Sequence, residues 1–250
     1  MSTAHTEERL SKRVAALKGC SRREAEQYIE GGWVRVNGQI VEEPQARVAH
    51  HAVDIDPHAS LMALTDITFI LNKPPGVQLL PQCIGERSAL DLITPASHVV
   101  QDPGGQRLLR RHLQRLVCPV PLETGASGLI VYTQEWRVQR KLEEDASSLE
   151  HEVIVEVAGE VAEDGLRHLR NPMGRGGQPL PEFKVSVNSS GEGKTKLRFA
   201  VKGAHPGLIA WLCDRSGLQI LGMKRIRVGR VALASLPVGQ WRFMVAEERF

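Results

Sequence analysis

The stretch Pro121-Leu-Glu-Thr-Gly-Ala-Ser-Gly-Leu-Ile-Val-Tyr-Thr133 constrains this chain most. Its front, Glu123 to Gly128, is built of turn formers, and the apolar run Leu129 to Tyr132 that follows has strong β character. A carboxylate just ahead of a buried strand can be held rigidly at the wall of a cleft. Alternating segments surround it in sequence. His151 to Val157 places Val153, Val155 and Val157 on one face, and Phe183 to Val187 and Lys196 to Val201 alternate in the same way. Helical patterns fall between them at Trp136–Leu142, Val161–Leu169 and His205–Cys213. Such a mixture predicts an α+β fold with a mostly antiparallel sheet.

Bulk properties narrow the class. The chain is 42% apolar and 24% charged, as for an ordinary globular protein, and has no run of the ~18 apolar residues that a membrane span needs. Met1 to Arg13 is polar and lacks the apolar core of a secretory signal, so a cytoplasmic protein with no membrane partner is expected. Cys20, Cys83, Cys118 and Cys213 lie far apart without a CxxC pair, which reads as free thiols in a reducing compartment. The net charge of +3 does not announce nucleic acid. Any case for it rests on three clusters, each of which alone reads as a solvated face: Lys12, Arg13, Lys18, Arg22 and Arg23; Arg107, Arg110, Arg111 and Arg115; Lys224, Arg225, Arg227 and Arg230.

The first fifty residues read as a unit. A helix over Glu7–Leu17 stops at Gly19. Ser21 and Glu24 form a capping box for a second helix, Arg22 to about Glu30. Trp33 to Val36 alternates, and Asn37-Gly38 is a hairpin turn. Residues 9 to 56, including Ser21-Arg22-Arg23-Glu24-Ala25, Gly32-x-Val34-x-Val36-Asn37-Gly38 and Pro44, resemble the small RNA-binding module of ribosomal protein S-four and tyrosyl-tRNA synthetase tails. The resemblance sets Lys12, Arg13, Arg22 and Arg23 against RNA phosphates, where guanidinium groups can form forked bonds. The competing reading is a solvated charged surface, since Glu24, Glu26, Glu30, Glu42 and Glu43 share the segment. The expected division is residues 1–57, a linker at 58–66, and a second domain at 67–250.

In the second domain Ile67 to Leu71 reads as a buried strand followed by a rigid turn, Asn72-Lys73-Pro74-Pro75-Gly76. Arg107 to Leu116 reads as an amphipathic helix with Leu108, Leu109, Leu113 and Leu116 inward, and Asn171 to Pro181 as a loop. The Asn-Lys-Pro-x-Gly turn, Leu122, Ser127-Gly128-Leu129 and Thr133, and Met223-Lys-Arg-Ile-Arg-Val-Gly229 resemble the bacterial ribosomal RNA pseudouridine synthases. That family's active-site segment runs Arg-Leu-Asp, two variable residues, Thr-Ser/Glu-Gly-Leu, a strand and Thr. Here Pro121 stands at the Arg, Glu123 at the catalytic Asp and Ala126 at the Thr. Val153 stands at the Tyr of a Lys-x-Tyr pattern, and Pro206 to Leu212 replaces a basic RNA-gripping helix.

The resemblance implies a synthase-like second domain, structured ribosomal RNA as partner, no metal or cofactor, Glu123 in the catalytic position and Lys73 near RNA. Two functions follow. One is isomerisation of uridine to pseudouridine with Glu123 for Asp, for which Thr124-Gly125-Ala126 is expected to be loose enough to retreat. The other is a non-catalytic RNA-binding protein on the same scaffold, for example in ribosome assembly. Leu208, Ile209, Trp211 and Leu212 are read as an apolar patch that leaves room for a protein partner.

Overall fold

The computed structural model describes residues 7–61, 65–80, 87–102, 107–170 and 180–250. Residues 62–64 of the expected linker and 171–179 of the expected loop lie outside the described residues. The chain separates into two compact units. One holds the residues up to Asp66 together with Arg107–Arg115, and the other holds Ile67 onward apart from that segment. Among the described residues no helix is long and apolar enough to cross a membrane.

The small unit runs β1 (Glu8–Arg9), α1 (Leu10–Lys18), α2 (Arg22–Glu30), β2 (Val34–Val36), β3 (Gln39–Ile40), β4 (Arg47–Val48) and β5 (Val53–Ile55). Helix α1 starts later than its periodicity suggests because Glu8 and Arg9 pair with Val48 and Arg47. Gly19 ends it at φ 67°. The capping box forms: Glu24 N donates to Ser21 Oγ at 3.2 Å and Ser21 N to Glu24 Oε2 at 2.7 Å. Asn37 and Gly38 both take positive φ, 51° and 81°, which closes the β2–β3 hairpin as a primed turn. Leu10, Val14, Ala25, Tyr28, Ile29, Val34 and Val48 are buried in one core.

The Arg107–Leu116 helix does not form. Only one 3-10 turn, Arg110–Leu113, appears, with Leu109 buried and Leu113 43% exposed. A segment this short cannot sustain a helix without packing along a whole face. Leu109 is the one leucine of the four that is buried.

The large unit contains β6 (Thr68–Lys73), β7 (Ser127–Thr133), α3 (Trp136–Glu144), β8 (Glu150–Ala158), α4 (Glu163–Arg170), β9 (Phe183–Gly191), β10 (Lys194–Lys202), α5 (Leu208–Arg215), β11 (Ile220–Val228), β12 (Val231–Ala232) and β13 (Trp241–Phe243). Eight strands form one sheet in the order β13-β6-β7-β11-β8-β10-β9, with β12 beside β11. The β7–β11 pair is parallel and the others are antiparallel, so the mostly antiparallel sheet is present. Val153, Val155 and Val157 of β8 face the core, where Leu212 and Cys213 of α5 cover them. Strand β6 runs two residues past the expected end and takes Asn72 and Lys73 into the sheet, opposite Leu129 and Gly128. Trp241 is fully buried, stacked on His98 at 4.1 Å and edge-on to Phe69 at 5.0 Å.

Candidate active site and RNA-binding surface

The β7–β11 pair builds the candidate site. Its register sets Gly128 opposite Arg225 and Ser127 opposite Lys224, and Ser127 Oγ donates to the Met223 carbonyl at 3.0 Å. Gly128 holds φ 108°, and a Cβ there would lie 2.2 Å from the Arg225 carbonyl oxygen. This close approach lets the Arg225 side chain turn under the loop ahead of β7. Its Nε donates to the Leu129 carbonyl at 2.8 Å, Nη1 to Pro121 at 2.9 Å and Nη2 to Val120 at 3.0 Å. Burial lowers its pKa to about 10, so it stays charged at neutral pH. Glu123 thus stands on a loop whose preceding carbonyls are clamped from below.

Lys73 clamps the other side. It is fully buried, and its Nζ donates to the carbonyls of Pro74, Val77 and Thr124 at 3.0, 2.9 and 3.0 Å. Burial, reinforced by the Arg225 charge and opposed by Glu123, brings its pKa down to about 8. An ammonium committed to three backbone carbonyls inside the protein cannot meet an RNA phosphate, so the expectation for Lys73 is corrected to a structural one. The Thr124 carbonyl also accepts from Gly76 N at 2.7 Å, and Ala126 N donates to the Glu123 carbonyl at 3.0 Å. The turn after Glu123 is therefore tied down, not loose.

The Glu123 carboxylate reaches across to helix α5. Its Oε1 accepts from Gly207 N at 2.8 Å, at the residue that caps the start of that helix. Pro121, Glu123, His151, Val153, Leu208 and Arg225 help to line one cavity of about 60 Å³, room for a few waters. Leu208, Ile209 and Trp211 pack against the core that buries Leu212, so the apolar patch expected on α5 is largely spent inside the unit.

His151 was missed from sequence, although the alternation that marks Val153 and Val155 puts it on the same face. It is buried, and burial first, then the charges of Arg225, His205 and Arg227, hold its pKa down at about 3. It is therefore neutral in the folded protein while an unfolded histidine charges near pH 6.5. The folded-state pKa lies below the unfolded one, so as pH falls below 6.5 only the unfolded state takes up this proton and stability drops towards pH 3. His151→Gln is expected to flatten the fall in the urea midpoint between pH 6.5 and 4; an unchanged slope would show that His151 is not the group responsible.

The third basic cluster is divided, with Arg230 exposed and Lys224 half-buried. Arg225 is buried, and Arg227 pairs with Glu150 and, at 2.6 Å, with Glu152. In the small unit Lys12 is 74% exposed, with Glu8 3.4 Å away. Arg13 is turned inward: Nε meets Glu8 at 2.5 Å and Nη2 donates to the Ala49 carbonyl at 3.1 Å. Arg22 is 57% exposed and lies 3.7 Å from Glu26 on the next turn, and Arg23 is exposed. Lys12, Arg22 and Arg23 are available to a phosphate, and Arg13 mainly braces the start of α1.

Comparison with known proteins agrees with this architecture. The model of the S4 domain matches residues 8–54. Ribosomal large subunit pseudouridine synthase B of Pseudomonas aeruginosa is 27% identical over 96% of this chain. A dual-specificity RNA pseudouridine synthase of Escherichia coli is 26% identical over 96% of it. The chain is homologous to the RNA pseudouridine synthases. It spans 60% of the Pseudomonas protein, 76% of the Escherichia coli one, and 56% of a chloroplast relative from Arabidopsis thaliana that is 28% identical. A crystal structure of a pseudouridylate synthase shares the fold, with a TM-score of 0.58 at 17% identity over 95% of this chain and 96% of its own. Pro121, Glu123 and Val153, which the sequence resemblance sets at the Arg, Asp and Tyr positions of the synthases, line the same cavity.

Proposed function

We propose that this chain is a synthase-type protein that engages structured ribosomal RNA, with Glu123 as the position at which isomerisation of uridine would occur. The observation that carries this reading is the convergence of Glu123, His151, Val153 and Arg225 on one cavity, on a scaffold homologous to RNA pseudouridine synthases. The S4 domain supplies RNA affinity through Lys12, Arg22 and Arg23, contacts that position the RNA and do not read its sequence. The cytoplasm is the compartment proposed for this work; the free thiols of Cys20, Cys118 and Cys213 fit it.

A second reading, an RNA-binding protein that does not isomerise, is favoured by one specific contact. The Glu123 carboxylate already satisfies Gly207 N at the start of α5. Valine at position 153 also offers no ring on which a flipped base could stack, an interaction worth ~1–3 kcal/mol. On this reading Glu123 closes the cavity instead of serving the sugar.

Pseudouridine mapping of RNA from cells with and without the gene, paired with the purified protein, separates the two. On the first reading wild type forms pseudouridine and Glu123→Ala abolishes it. On the second, wild type binds ribosomal RNA and forms none, and Glu123→Ala leaves binding intact. Activity that survives Glu123→Ala would overturn the assignment of the site.

A further inference from the structure

Within the excursion between β6 and β7, the segment Arg107–Arg115 belongs to the small unit. Its seating is specific. Leu109 is buried, and a Cβ added to Gly32 would meet Leu109 Cδ2 and Arg107 Nη1 at 3.2 Å, so glycine, at φ 70°, lets the segment lie close. Arg107 Nη1 donates to the Gly32 carbonyl at 3.2 Å, and its Nη2 lies 3.7 Å from Glu42. Arg110 N donates to Glu42 Oε2 at 2.5 Å, and the Arg110 guanidinium pairs with Glu43.

The charge balance gives this seating a purpose. Residues 1–66 contain eight Lys and Arg but ten Asp and Glu, a net charge of −2. Residues 107–115 add four arginines and no acid, which brings the unit to +2. An RNA-binding module that is acidic by itself is poorly matched to a polyanion, because the phosphate term dominates affinity. Glu42 and Glu43, two of the acids outside α2, are the ones that this segment engages. They also sit beside α1: Ser11 N donates to the Pro44 carbonyl at 3.0 Å and Leu10 N to Ala46 at 2.7 Å.

We infer that residues 107–115 are a cationic strap of the S4 unit, one that neutralises Glu42 and Glu43 and extends the phosphate-binding surface of Lys12, Arg22 and Arg23 through Arg115. Arg115 is exposed at the end of the strap, at φ 52°. This inference rests on the RNA-binding reading above and adds residues that the S4 match at 8–54 does not include.

The test measures binding of the full chain to a ribosomal RNA stem-loop across a salt series. Arg107→Ala with Arg110→Ala is expected to weaken binding about tenfold and make the salt dependence shallower, as loss of effective cationic charge does. Adding Glu42→Gln and Glu43→Gln to that variant is expected to recover most of the loss, since the acids no longer need cover. Arg115→Asn, a residue that tolerates the left-handed backbone, is expected to weaken binding a few-fold without touching the packed part of the strap. It carries the test should the double alanine variant fail to fold. Wild-type affinity and slope in both strap variants would overturn the strap, and so would failure of the Gln pair to rescue. Arg22→Glu with Arg23→Glu serves as the control. Binding lost there but insensitive to the strap sinks the strap alone, whereas a wild type that does not bind RNA sinks the RNA reading itself.

Discussion

Gly128→Ala is expected to destabilise the large unit by about 4 kcal/mol or to prevent its folding. Two costs add. The backbone at φ 108° disfavours any side chain, which alone is worth ~1–3 kcal/mol. The new Cβ would also fall 2.2 Å from the Arg225 carbonyl oxygen and 2.7 Å from its nitrogen. Both are backbone atoms of the paired strand, so no side-chain rotation relieves the clash, and forced overpacking of this kind costs a further ~1–3 kcal/mol. Gly125 offers a control three residues away. It has open space around its Cβ position and no positive φ, and Gly125→Ala is expected to change stability by less than about 0.5 kcal/mol. Urea unfolding followed through the buried Trp241 cluster reads both. Equal midpoints for the two variants would mean that β7 and β11 do not approach as closely as this geometry requires.

The contrast between these glycines also shows what the chain disclosed in advance. Strand β7 was legible from its continuous run of β-forming apolar residues, and the valine face of β8 from a two-residue period that survives any tertiary context. The S4 unit was legible because its capping box and Asn-Gly turn are local rules that need no partner. Arg225 was not. In sequence it is one cation among Lys224, Arg227 and Arg230, and only a parallel pairing between strands nearly a hundred residues apart turns it inward. Lys73 misled for the same reason, since a lysine beside two prolines has the look of a turn residue until the sheet extends over it. The 107–115 segment defeated periodicity because its leucines are spaced for a helix while its arginines answer acids at 42 and 43. The chemistry of the site was half legible. The substitutions at 121, 123 and 153 could be seen, but not that the Glu123 carboxylate accepts from Gly207 N.

Arg225→Ala is expected to cost about 4 kcal/mol, and its main local effect should be at Glu123. Truncation removes the donors to the carbonyls of Leu129, Pro121 and Val120; Leu129 and Val120 are buried, and an acceptor left bare there costs ~1–3 kcal/mol. Against this stands one relief: the guanidinium no longer has to be buried, and its lowered pKa reports that burial is a real cost. The lost bonds outweigh that relief, because Leu129 and Val120 stay buried whichever residue occupies 225. Arg225→Lys keeps the charge but replaces a planar fork with a single point donor, so it should recover only part, leaving a loss of about 2 kcal/mol. The loop carrying Glu123 would then be freed at Pro121 while Lys73 still holds it at Thr124. Faster hydrogen exchange at the Gly207 amide, with the S4 unit's salt-dependent RNA binding retained, is the expected signature. If Arg225→Ala matched wild type in urea, or if Gly207 stayed protected, the clamp would not be what sets the Glu123 carboxylate against α5.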